Sequence, residues 1–130
     1  MSETDLSRAI REALTAKGYW VDRINSGNVF LSYTSKRTGE TKGRRIAMAE
    51  PGTPDTLVIW PYCWVETKTP IGKASPEQIE WHREAKRRGV RATFARAIGE
   101  ATRFVDQCAR EDRKRLRACP VDKCPLEDDP

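Results

Sequence analysis

Apolar residues recur along this chain at two spacings, and the changes between them mark out its elements. Leu6, Ile10, Ala13 and Leu14 fall at helical spacing, which predicts a helix over 4–17 with Gly18 as its stop. Glu3 and Ser7 extend that stripe backwards, while Glu12 falls off it and belongs to a solvated face. Tyr19 to Ile24 alternates as a first strand, and Asn25-Ser26-Gly27-Asn28 has turn chemistry. Val29 to Tyr33 and Arg45 to Met48 predict a hairpin whose tip is the polar run Thr34–Arg44. Leu57 to Trp60 and Cys63 to Val65, separated by Pro61-Tyr62, predict a second, more apolar hairpin. After the loop 69–75, Ser75-Pro76-Glu77-Gln78 combines an N-cap, a first-turn proline and a third-position glutamine. The helix that follows runs to about Arg88, stops at Gly89, and carries Ile79, Trp81, His82 and Ala85 as its apolar stripe. Val90 to Ala95 predicts another strand, and Ile98 to about Leu116 a last helix with Ala101, Phe104, Val105 and Cys108 inward. The order α-β-β-β-β-β-α-β-α predicts an α/β fold with a mixed sheet flanked by helices.

At 130 residues the chain is sized for one domain, taken as 1–118, followed by an acidic, Pro-rich tail over 119–130. Charge sharpens that division. The net charge is +5, but the last twelve residues hold one Lys and four acids, leaving 23 basic and 15 acidic side chains ahead of them. A basic body suits a polyanionic partner such as nucleic acid, although a merely basic soluble protein has the same composition. No apolar run is long enough to cross a bilayer, so the expectation is a soluble cytoplasmic protein with no membrane partner. Cys63 reads as packing. Cys108, Cys119 and Cys124 lack an obvious fourth ligand for zinc, and reduced, incidental thiols are the plainer expectation.

The chemistry concentrates in the second hairpin. Glu66 and Lys68 share a strand face by alternation, and Asp55 opens the partner strand beside them. Two carboxylates and an ammonium at one end of an apolar hairpin are costly to gather unless a cation and a reacting anion share the site. A surface ion-pair cluster is the plain alternative. Gln78 reads equally as a helix cap and as a group that positions water or phosphate, and His82, Trp64 and Trp81 read as packing. Lys36, Arg37, Lys42, Arg44 and Arg45 on the first hairpin are candidate phosphate contacts.

Pro54-Asp55, Glu66-Thr67-Lys68 and Ser75-Pro76-Glu77-Gln78, in this order, resemble the restriction-endonuclease-like PD-(D/E)XK superfamily. Within it the chain is similar to the virus-type replication-repair nuclease (VRR-NUC) domain in its stand-alone phage and prophage form. The likeness spans about residues 2–106 and takes in Glu3, Gly18, Arg23 to Gly27, Pro51 to Asp55, Val65 to Lys68 and Ser75 to His82. Ser7 departs from it, since similar domains often have Gln there.

The resemblance implies a restriction-endonuclease-like mixed sheet and a Mg²⁺-dependent DNA endonuclease, with Mn²⁺ able to substitute. Asp55 and Glu66 become the direct metal ligands, the Thr67 carbonyl a third, and Glu3 an outer or second-metal ligand, with Glu12 the other candidate for the first-helix acid. Lys68 orients the attacking water and stabilises transition-state charge. Arg23, Asn25 and Ser26 fall in a region that faces DNA in similar families, though ordinary turn chemistry also accounts for them. Stand-alone domains of this kind resemble Holliday-junction resolvases, so branched or double-stranded DNA and a homodimer are the expected partners. Trp20, Phe30, Tyr33 and the final helix are candidate dimer surfaces. A monomeric flap or nicking nuclease and a non-catalytic DNA-binding accessory factor are the alternatives.

Overall fold

The computed structural model describes residues 1–25, 28–47 and 49–118, the side chains of 28–31, 44–47 and 118 excepted. Ser26 and the tail 119–130, with Cys119 and Cys124, therefore lie outside the described residues. The fold is mixed α/β, with a mixed sheet and three helices among the described residues.

Helix α1 spans Glu3–Ala16. Ser2 caps it by accepting from the Asp5 amide at 3.1 Å, and Glu3 and Asp5 place negative charge in the first turn, where the helix dipole favours it. Strand β1 is Trp20–Arg23, β2 Asn28–Thr34 and β3 Thr41–Ala47. Strand β4 is Thr56–Trp60, β5 Cys63–Thr67 and β6 Ala92–Ala95. Helix α2 is Pro76–Arg87 and α3 is Ile98–Ala118. The main sheet has the order β1-β4-β5-β6, antiparallel except for the parallel pair β5 and β6, while β2 and β3 form a separate antiparallel ribbon. Helix α2 supplies the crossover that a parallel strand pair requires.

Alternation along β5 sorts the layers. Cys63 and Val65 enter the core with Leu6, Ile10 and Leu14 of α1, Val58 of β4, and Ala101, Val105 and Cys108 of α3. Each of the fully buried aliphatic side chains contributes about 2 kcal/mol by leaving water. The intervening Trp64 meets Trp81 of α2 edge-on, with ring centres 5.3 Å apart, and His82 stacks on Phe94 of β6 at 3.9 Å. Helices α1 and α3 thus cover one face of the sheet and α2 the other. His82, Trp64 and Trp81 pack, as do Cys63 and Cys108, which are buried free thiols.

Some element edges differ from the sequence reading. Strand β3 begins at Thr41, so Lys42, Arg44 and Arg45 lie on a strand and only Lys36 and Arg37 remain on the turn. Cross-strand pairing with Tyr33 and Thr34 extends the strand into a polar stretch that apolar periodicity does not mark. The last strand begins at Ala92, because Val90 closes the turn after α2 by donating its amide to Ala85 at 2.8 Å. Ile79 is exposed rather than inward, as Trp81, His82 and Ala85 already complete the inner face of α2.

Candidate active site

The site lies where β4 begins and β5 ends, between the first turns of α1 and α2. Antiparallel register pairs Thr56 with Val65. One step further out, Asp55 and Glu66 therefore face each other across the strands. Their contacts interlock: the Asp55 amide donates to Glu66 Oε2 at 3.2 Å, and the Thr67 amide donates to Asp55 Oδ1 at 3.3 Å. The Asp55 carbonyl accepts from the Ile24 amide at 2.8 Å, which fastens the residue to the end of β1.

Each carboxylate is also held from a helix. Gln78 Nε2 donates to Glu66 Oε1 at 3.0 Å, while Gln78 Oε1 accepts from the Ser75 amide at 2.9 Å. Gln78 therefore caps α2, as one of its two readings has it, and with the same side chain holds Glu66. Ser7 Oγ donates to Asp55 Oδ2 at 2.6 Å, and Arg11, one turn along α1, donates to the Ser7 hydroxyl. Ser7 and Arg11 are site residues that the sequence reading did not assign. The signal was a serine on the buried stripe of α1 with an arginine four residues on.

Burial gives this arrangement its electrostatics. Glu66 is only 4% exposed and Lys68 only 7%. Burial, and then the neighbouring Asp55 charge, push the Glu66 carboxyl up to about 8, against the opposing pull of Lys68 and of the Asp55 amide. The Lys68 ammonium has Glu3 Oε1 at 3.9 Å, near the limit of an ion pair, and the Glu3 side chain is 47% exposed. Lys68 is also fixed through its backbone, its amide donating to the Ala95 carbonyl of β6 at 2.9 Å.

These positions test the cation expectation. Two hard oxygen donors meet, Glu66 buried and Asp55 half-buried, with no histidine or cysteine in contact with them among the described residues. One carboxyl is pushed toward neutrality by burial and by its neighbour's charge. That donor set fits a Mg²⁺-like ion, which binds through one or two carboxylates and keeps several waters. Among the described residues no three His, Cys, Asp or Glu side chains converge as a ligand group. Asp55 and Glu66 are the two carboxylates in mutual contact. Glu3, expected as an outer or second-metal ligand, stands at the first residue of α1 with its carboxylate 3.9 Å from the Lys68 ammonium and its charge felt by Glu66. Glu12 is exposed on the outer face of α1. Thr67 ends β5, fully buried, with its amide on Asp55.

Other candidates are more scattered. Arg23 ends β1 and lines a cleft with Arg8 and Arg11, whereas Asn25 is exposed beyond the strand. Lys36, Arg37 and Lys42 are exposed on the β2–β3 ribbon, and the side chains of Arg44 and Arg45 lie outside the described residues. Trp20 and Tyr33 are largely exposed, while the Phe30 side chain lies outside the description. No helix among the described residues is long and apolar enough to cross a membrane. Comparison with protein-family models, with curated proteins and with solved structures returns no match to this chain.

Proposed function

We propose that this chain is a metal-dependent DNA endonuclease of the restriction-endonuclease-like type, akin to the virus-type replication-repair nucleases and selective for branched DNA. The observation that carries the reading is the half-buried Asp55 in contact with the buried Glu66, beside the buried Lys68, with the Glu66 carboxyl driven up by burial and by its neighbour's charge. A bound Mg²⁺ or Mn²⁺, held by Asp55 and Glu66 with the Thr67 carbonyl as a further donor, supplies charge neutralisation at the scissile phosphate and acidifies water.

The chain's own residues do the rest. Lys68 orients the attacking water and stabilises negative charge as it develops on phosphate oxygen. Gln78 is a positioning residue, because its amide holds Glu66 against the α2 N-terminus. Ser7 does the same for Asp55. The buried setting strengthens each of these interactions relative to water. Exposed basic residues on the ribbon, Lys36, Arg37 and Lys42, grip backbone phosphates without reading sequence. Paired cuts on a four-way junction require two such sites, hence a two-fold dimer. The exposed Trp20 and Tyr33 offer surface for it.

The test is a cleavage panel over four-way junctions, flaps, linear duplexes and single strands, with Mg²⁺, Mn²⁺ or chelator, alongside native mass. The expected result is metal-dependent paired nicks on junctions by a dimer. Single nicks by a monomer favour a flap or nicking enzyme, and no cleavage of any substrate rejects the enzymatic reading.

A further inference from the structure

Arg11 does more than support Ser7. Together with Arg8, Arg23 and Glu12, and floored by Val21, it lines an open cleft of about 560 Å³ between α1 and β1. Three guanidiniums face that cleft and one carboxylate answers them. Arg8 has Asp5 at 3.9 Å, the outer limit of an ion pair, and both side chains are more than half exposed. Among the described residues no carboxylate forms an ion pair with Arg11 or Arg23. Burial pushes the Arg11 guanidinium below its ordinary value. Asp55 opposes that push, and the charges of Arg23 and Arg8 add to it. Arg11 is therefore close enough to feel the site on one side and the other two arginines on the other. Three like charges with fewer acids to answer them leave a positive recess, and guanidinium forks match phosphate oxygens in number and plane.

We propose that this cleft is a phosphate subsite, taking a phosphodiester of the DNA strand that flanks the scissile one and so setting where the strand enters the site. The assignment rests on the nuclease reading above and adds the path of the strand to it. The relay from Arg11 through Ser7 to Asp55 joins subsite and reacting centre through two hydrogen bonds, so a phosphate seated on Arg11 is registered against the carboxylates. Glu12, on the rim, opposes binding.

The experiment uses the full chain and a fluorescein-labelled four-way junction in Ca²⁺, titrated across a range of salt concentrations, with Arg8→Gln, Arg11→Gln, Arg23→Gln and Glu12→Gln. Each arginine variant is expected to weaken binding about tenfold or less and to flatten the dependence of log K on log salt by about one. Glu12→Gln is expected to tighten binding. Arg8 and Arg23 are exposed, so their variants fold even if Arg11→Gln does not. Single methylphosphonate linkages then scan the strand. One position near the cut should weaken the wild type, and the Arg23→Gln variant should lose nothing further there. Additive losses at every linkage, or arginine variants that bind and titrate like the wild type, overturn the subsite while leaving the nuclease reading standing. Displacement of the junction by millimolar inorganic phosphate, without any linkage effect, overturns it in favour of a free-anion site. A wild type that does not bind the junction overturns the subsite together with the proposed function.

Discussion

Two polar clusters flank the core of this molecule, and they treat charge in opposite ways. Around Arg91, which precedes β6, every group is answered. The guanidinium donates to both oxygens of Asp112 at 2.9 and 2.8 Å, to Glu111 at 3.4 Å, and to the carbonyls of Tyr62 at 2.8 Å and Cys108 at 3.3 Å. Its hydrogen bond to Asp112 raises Arg91 and holds the Asp112 carboxyl below the usual carboxylate range. The Asp55 and Glu66 carboxylates accept four hydrogen bonds, all from neutral amides and a hydroxyl. The one ammonium nearby shares itself with Glu3, and Glu66 is driven up to about 8. The first cluster ties the turn after β4 and strand β6 to α3. The second holds two carboxylates together at a cost, one of them driven toward neutrality, which the proposed cation would relieve.

The widest separation between the clusters is expected in catalysis. Asp55→Ala, Glu66→Gln and Lys68→Ala should each lower junction cleavage by about a thousandfold or more, while Asp112→Ala should change it little. Stability should show the reverse order. Arg91→Ala strips two acids and two carbonyls of their partner and should cost about 2 kcal/mol in denaturant unfolding. Glu66→Gln in chelator should cost nothing or stabilise, since it removes a carboxyl whose ionised form burial disfavours.

Gly52 offers a way to disturb the site without touching it. Its φ is +88°, and an added Cβ would lie 2.2 Å from the Glu77 carbonyl oxygen. Gly52→Ala must push the first turn of α2 outward and strain the backbone, for a loss of about 2 kcal/mol or more. Because Gln78 rides on that turn, the expected signature is a fall in kcat beyond what the loss of stability explains. Ser7→Ala is milder: it removes one donor from Asp55 and should cost about tenfold in cleavage.

Acidity separates the clusters by sign. The folded-state value of Glu66 lies above its ordinary 4.5, at about 8. Its contribution is therefore full below about 4.5 and is lost as pH rises through 8, at of order 1 kcal/mol per unit. Asp112 is lowered, so its contribution is present above its ordinary 3.8 and is lost as pH falls below it. Stability differences between wild type and Glu66→Gln, and between wild type and Asp112→Asn, should slope in opposite directions when measured in chelator.

Much of this was legible from residue order. The three helices follow from apolar stripes with punctuating residues, notably the Ser75 capping box and the positive-φ glycines Gly18 and Gly89. Asp55, Glu66 and Lys68 stood out because alternation and a short hairpin bring them to one end of a strand pair. What could not be read was set by long-range contact. That β1 pairs with β4, and that β2 and β3 leave the main sheet, depends on packing that no local period encodes. Ser7 read as an extension of the helical stripe with no partner of its own, and only the approach of α1 to the start of β4 makes it a donor to Asp55. The approach of Glu3 to Lys68 is equally a long-range contact, which its position on the stripe did not reveal.

The claim that a divalent cation completes the Asp55–Glu66 pair is tested most directly by thermal unfolding at pH 8, in chelator and in Mg²⁺ or Mn²⁺, for wild type and Glu66→Gln. The account predicts that metal raises the wild-type melting temperature and leaves the variant unmoved. Equal shifts in both proteins, or none in either, would contradict it.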